Sequence, residues 1–163
     1  MVDRVSRRAL LAAALLGFAA PRALRRAEAL PAMVVHKDAS CGCCEAWVAH
    51  IRSAGVAVSV VNEPDMAAVK ARFGIPAALA SCHTAEIDGY VIEGHVPAVA
   101  VQRLLRERPA ALGLAAPGMP DGSPGMETAG RAEAFEVYLF SVDGVRLYGR
   151  FRGAEPIWPA RLR

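Results

Sequence analysis

The residues best equipped for chemistry are four cysteines, three of them within one tetrapeptide, Cys41-Gly42-Cys43-Cys44. The fourth, Cys82, is followed directly by His83. An even cysteine count outside the cytosol ordinarily signals disulfides, yet here two conventional bridges would require pairing inside the cluster. A vicinal Cys43–Cys44 bridge would be strained, whereas a Cys41–Cys44 bridge of the C-x-x-C kind is feasible. Metal binding is the other use of such a cluster. Thiolates select soft ions such as copper(I), or zinc, over magnesium and calcium. Zinc on a bare C-x-x-C pair needs two more ligands for a closed tetrahedral site, and Cys82 and His83 could supply them. Both metals remain open on this ground. His95 is a further candidate, as are the thioethers of Met119 and Met126, which lie in a stretch without helical or strand periodicity. His36 and His50 have weaker claims, His50 being most simply a helix-surface residue.

These residues need a scaffold. Met33–Lys37 is a short β-prone run, a loop Asp38-Ala39-Ser40 follows, and from Glu45 onward Trp47, Val48 and Ile51 recur at helical spacing until Gly55. The three clustered cysteines therefore fall at a helix N-terminus, where unpaired N–H groups and the helix dipole favour thiolate and lower the thiol pKa below its free value of roughly 8.5. Trp47 reads as core and Glu45 as an acid suited to the first turn. Val56–Val61 alternates as a second strand, Pro64-Asp65 opens a helix through Phe73, and Gly74-Ile75-Pro76 ends it. Two strands flank the hairpin signal Asp88-Gly89. Pro97 then begins a helix whose apolar face is Val101, Leu104 and Leu105. The order β-α-β-α-β-β-α, with C-x-x-C after the first strand, predicts an α/β, thioredoxin-like fold. Residues 113–130, rich in Gly, Pro and Ala, are expected to be loop. A second hairpin around Asp143-Gly144 extends or covers the sheet, and a loose tail is expected over 154–163.

The N-terminus carries different information. Ser6-Arg7-Arg8-Ala9-Leu10-Leu11 opens an apolar run ending at Ala20, too short to span a bilayer. With the small residues around Ala27-Glu28-Ala29 it has the plan of an export signal over residues 1–29, and its paired arginines suit the twin-arginine route. Cleavage after Ala29 would remove six of nineteen basic and two of sixteen acidic residues, leaving thirteen against fourteen and a formal charge of −1. The basic character of the whole chain thus belongs to the leader. No basic stripe with interleaved aromatics remains, so nucleic acid is not an expected partner. Residues 30–153 match one ordinary domain, large enough to bury a core without disulfides.

The stretches Cys41-Gly-Cys-Cys-Glu-x-Trp47, Ala80-Ser-Cys-His-Thr84, Gly89-Tyr-Val-Ile-Glu-Gly-His-Val-Pro97, Pro117-Gly-Met-Pro120 and Ser123-Pro-Gly-Met126 together resemble the CopG-like family of small periplasmic metal-binding proteins. The resemblance runs from about Val34 to Phe151. It implies a thioredoxin-like fold, copper binding in the bacterial envelope and a part in copper resistance. It also implies Cys41, Cys43, Cys44 and Cys82 as thiol ligands, His83 and His95 beside them, Met119 and Met126 as accessory ligands, and other envelope copper-handling proteins as partners. Two functions use these residues. One is a periplasmic copper(I)-binding protein. The other is a thiol-disulfide or copper oxidoreductase in which Cys41 attacks and Cys44 resolves. Cys43 favours the first, because a dithiol enzyme gains nothing evident from a third thiol and a soft-metal site gains a ligand.

Overall fold

The computed structural model describes residues 29–130 and 132–159. The expected leader falls, but for its last residue, outside them. Strand β1 (Met33–Lys37) leads into helix α1 (Gly42–Ser53), β2 (Val58–Asn62) and helix α2 (Met66–Arg72). A 3-10 turn at Ala77–Leu79 precedes the hairpin β3 (His83–Ile87) and β4 (Tyr90–Glu93), then α3 (Ala98–Glu107), β5 (Gly113–Ala115), β6 (Ala134–Ser141), β7 (Gly144–Arg152) and β8 (Glu155–Pro159). All eight strands form one sheet in the order β2-β1-β3-β4-β5-β6-β7-β8. The β1/β2 and β4/β5 pairs are parallel and the others antiparallel. No helix among the described residues is long and apolar enough to cross a membrane.

Local chemistry explains most boundaries. Asp65 caps α2 by accepting from the Ala68 N–H at 3.0 Å. Asp88 and Gly89 both take positive φ, 49° and 82°, as a tight two-residue hairpin turn requires. The main core gathers Met33 and Val35 of β1, Trp47, Val48 and Ile51 of α1, and Val101 and Leu104 of α3 against inward residues of β3, β4 and β6. A smaller cluster of Leu79, Ala115 and Phe140 lies apart from it, with Val91 and Tyr138 packed on. The helices α1 and α3 are tied together by His50, whose Nε2 accepts from the Ala98 N–H at 3.0 Å. Pro97 gives α3 no side-chain cap, so His50 satisfies one of that helix's orphan donors. The sequence had suggested only a surface residue here.

Two expectations about the C-terminal third differ from what is found. Within the expected loop, Gly113–Ala115 is buried and joins β4 to β6 as β5. Within the expected loose tail, Glu155–Pro159 pairs with β7 as β8. Three-residue and edge strands depend on neighbouring backbone rather than on periodicity, which is why neither has a local signal. Gly113 is the price of that close pairing, since a Cβ there would lie 1.8 Å from the Val91 carbonyl oxygen. Gly113→Ala should therefore force β4 and β5 apart and cost about 3 kcal/mol, the upper end of overpacking penalties. A lower urea midpoint with an unchanged m-value would show it.

Candidate metal centre

Cys41 is the N-cap residue of α1, with extended backbone and no side-chain cap bond, and Cys43 and Cys44 fall in the first turn. Cys41 and Cys44 are joined by a disulfide with Cα atoms 5.4 Å apart, while Cys43 and Cys82 are free. The Cys43 Sγ stands 3.5 Å from that of Cys41 and 3.9 Å from that of Cys82. Cys82 immediately precedes β3, which lies beside β1, so the pairing of the first and third strands is what carries it to the helix start. Its Sγ is 3.0 Å from His95 Nε2 and 3.3 Å from His83 Nδ1. Two groups of possible ligands result, Cys41/Cys43/Cys44/Cys82 and Cys82/His83/His95, each with its ligand atoms within 4.8 Å of one another. Cys82 belongs to both.

The histidines are held in defined states. His95 Nδ1 lies 2.8 Å from the Pro124 carbonyl oxygen, which can only accept, so Nδ1 carries the hydrogen and Nε2 turns a lone pair toward Cys82. Burial lowers its pKa, against smaller opposing effects of the Pro124 bond and Glu127. His83 is fully buried and its pKa lies well below the ordinary histidine value, first through burial and then through the nearby His95 and Lys70. Its Nε2 is a buried nitrogen with no hydrogen-bond partner. The ring lies 4.3 Å from that of Trp47 and 5.1 Å from that of His95, centroid to centroid. Both imidazoles are thus neutral near pH 7, the form that binds metals.

Cys82 does not share the thiolate character expected at a helix start. It sits at the beginning of a strand, and burial, reinforced by neighbouring Cys43, pushes its thiol up to about 12. A metal at this sulfur would displace a proton.

Residues outside the motif cysteines complete the site. The turn Ser123–Met126, closed by Met126 N–H to Ser123 carbonyl at 2.8 Å, packs against the first turns of α1. Gly125 has φ +85°, and a Cβ on it would stand 2.6 Å from Trp47 N and 2.7 Å from the Cys43 carbonyl oxygen. Pro124 and Gly125 thus position His95 and the helix start, a role visible in sequence only as a Pro-Gly pair. Lys37, at the end of β1, is buried, its Nζ 2.8 Å from Glu45 Oε1 and 3.0 Å from the Asp38 carbonyl oxygen. Glu45 therefore anchors a buried cation as well as sitting in the helix's first turn. Met126 is half-buried on the Ser123–Met126 turn, and Met119 is 55% exposed on the preceding loop. His36 lies away from this group, its Nδ1 2.7 Å from Glu63.

The depressed histidines set a pH dependence. His50, His83 and His95 all have folded-state pKa values below 6.5, the first cause in each being burial. The unfolded chain therefore binds more protons once pH falls to about 6.5 and below, and stability declines in that direction. Thermal melts of the metal-free protein should be flat from these groups at pH 8 and fall toward pH 5. His83→Phe should flatten the acid limb.

With the geometry in place, comparison with known proteins gives three results. A family model described as a protein of unknown function, DUF411, matches residues 79–126. No curated protein matches the chain. Two solved structures of a copper resistance protein, copG, align with it in forms 1 and 2, both at 45% identity and a TM-score of 0.71. The alignments cover 76% and 75% of this chain and 99% and 98% of the solved ones.

Proposed function

The chain belongs to the family of the copper resistance protein copG, and on that footing we propose that it is an exported, periplasmic copper(I)-binding protein serving copper resistance. The observation that carries this is the convergence of four cysteine sulfurs and two neutral imidazoles from separate chain segments on one small region. Once a thiol reductant has opened the Cys41–Cys44 bridge, taking up its own disulfide in exchange, Cys41, Cys43, Cys44 and Cys82 would hold the ion as thiolates, and His83 and His95 would offer nitrogen beside them. Met119 and Met126 are accessory sulfur donors in this reading. A sulfur-dominated set suits copper(I) and also admits zinc. The order β-α-β-α-β-β-α and the strand sequence β2-β1-β3-β4 support the thioredoxin-like description.

The Cys41–Cys44 disulfide favours a second reading, a copper or thiol-disulfide oxidoreductase. Closing that bridge from two thiols releases two protons and two electrons, enough to reduce two copper(II) ions to copper(I). The two readings separate in one experiment: metal analysis and thiol counting on mature protein purified anaerobically from copper-supplied cells, beside an insulin-reduction assay on the metal-free form. Bound copper with protected thiols and negligible reductase turnover is the expected result. A metal-free disulfide protein with fast turnover would replace binding by redox catalysis.

A further inference from the structure

Behind the Cys82 segment lies a buried polar knot that metal ligation does not use. Its centre is Glu93, the last residue of β4, whose side chain is fully buried. Oε1 accepts from Lys70 Nζ at 2.6 Å and from the backbone N–H of Ser81 at 2.7 Å, and Oε2 accepts from the Thr84 hydroxyl at 2.6 Å. Lys70 reaches it from α2 and also donates to Thr84 Oγ1 at 3.2 Å. Thr84 and Glu93 are the last register pair of the β3/β4 hairpin. Beyond them one strand runs to His83 and Cys82, and the other to Gly94 and His95.

Ser81 is wedged there from a second side. Gly94, with φ +70°, stands where a Cβ would be 2.4 Å from Ser81 Oγ, and the Gly94 N–H donates to the His83 carbonyl at 3.0 Å. The Ser81 hydroxyl bonds the Gly118 carbonyl. A buried ion pair is a poor source of stability, because apolar residues of similar volume often serve as well or better. In some proteins such buried polar groups instead serve to hold one geometry.

We propose that Glu93 is a positioning residue for the thiol–imidazole site. Through the Ser81 N–H its carboxylate fixes the residue next to Cys82, and so sets the 3.0 Å approach of Cys82 to His95 and the 3.9 Å approach to Cys43. Lys70, donating to Oε1 at 2.6 Å, keeps that carboxylate oriented. The inference concerns the geometry of the site, and only its copper consequence rests on the function proposed above.

The test is made on the metal-free, Cys41–Cys44-bridged protein, in which Cys43 and Cys82 alone are free to alkylate. The double variant K70M/E93L removes the ion pair with little loss of volume and is expected to fold. Iodoacetamide labelling, read site by site by mass spectrometry, should show Cys82 reacting about tenfold faster relative to Cys43 as its segment comes loose. Copper(I) affinity of the reduced protein, measured against a chelator, should fall about tenfold to a hundredfold, as for other residues supporting metal ligands. A folded K70M/E93L protein with the wild-type labelling ratio overturns the proposal. Should that variant not fold, two single variants decide: E93M removes the acceptor for the Ser81 N–H and leaves the partly exposed Lys70 to turn to solvent, whereas the amide oxygen of E93Q still accepts from Ser81. A labelling ratio raised in E93M and returned to the wild-type value in E93Q supports the anchor, and the same ratio in both overturns it. If the wild type binds no copper while the ratio shifts as described, the copper reading fails and the positioning role stands.

Discussion

Cys82→Ser is expected to weaken copper(I) binding by more than about a hundredfold, beyond the usual loss when a residue merely supporting a ligand is changed. The reason is placement. Cys82 is the one residue common to the four-sulfur group and to the group with His83 and His95. Its replacement by a hard hydroxyl oxygen removes the link between them and the donor most suited to a soft ion. The site is half-buried and a serine is slightly smaller, so the fold should survive. Competition against a copper(I)-selective chelator, with a thermal melt beside it, separates the two effects. Affinity equal to wild type in a folded variant would show that Cys82 is a bystander and that Cys41, Cys43 and Cys44 suffice.

Trp47→Ala is expected to produce the largest loss of stability, about 3–5 kcal/mol by the usual cost of truncating a large buried aromatic. Trp47 is fully buried in the main core, donates from Nε1 to the Val96 carbonyl at 2.9 Å, and lies against His83. Truncation opens a cavity, strands that carbonyl, and removes the wall that holds the His83 ring. Denaturant unfolding should register the loss. Copper affinity should fall with it if the His83 orientation matters. Trp47→Phe, which keeps most of the volume and drops the hydrogen bond, should sit between the two.

Much of this was legible in the sequence, and the gaps have physical causes. The run from Met33 to Glu107 reads well because each element carries its own signal: alternation in β1, helical spacing of Trp47, Val48 and Ile51, a cap at Asp65, the Asp-Gly turn at 88–89. The gathering of Cys82 with the tetrapeptide follows from the strand that Cys82 precedes. What could not be read are interactions whose partners are distant and whose own residues are unremarkable. β5 exists because β4 and β6 offer backbone on either side of Gly113, and β8 because β7 does. Pro124 acts through a carbonyl, which every residue has, and Glu93 through a backbone N–H of Ser81. The thiol chemistry expected at the helix start does not extend to Cys82, since its acidity is governed by burial at a strand's beginning rather than by a helix dipole.

The separation of these segments along the chain has a mechanical meaning. Cys43 and Cys82 lie 39 residues apart, Cys82 and His95 are 13 apart, and His95 and Pro124 are 29 apart. An ion shared by Cys43 and Cys82 acts as a reversible cross-link closing a long loop, and such closure removes freedom chiefly from the unfolded chain. Cargo and durability would thereby be coupled: the loaded protein is expected to resist proteases and heat better than the empty one.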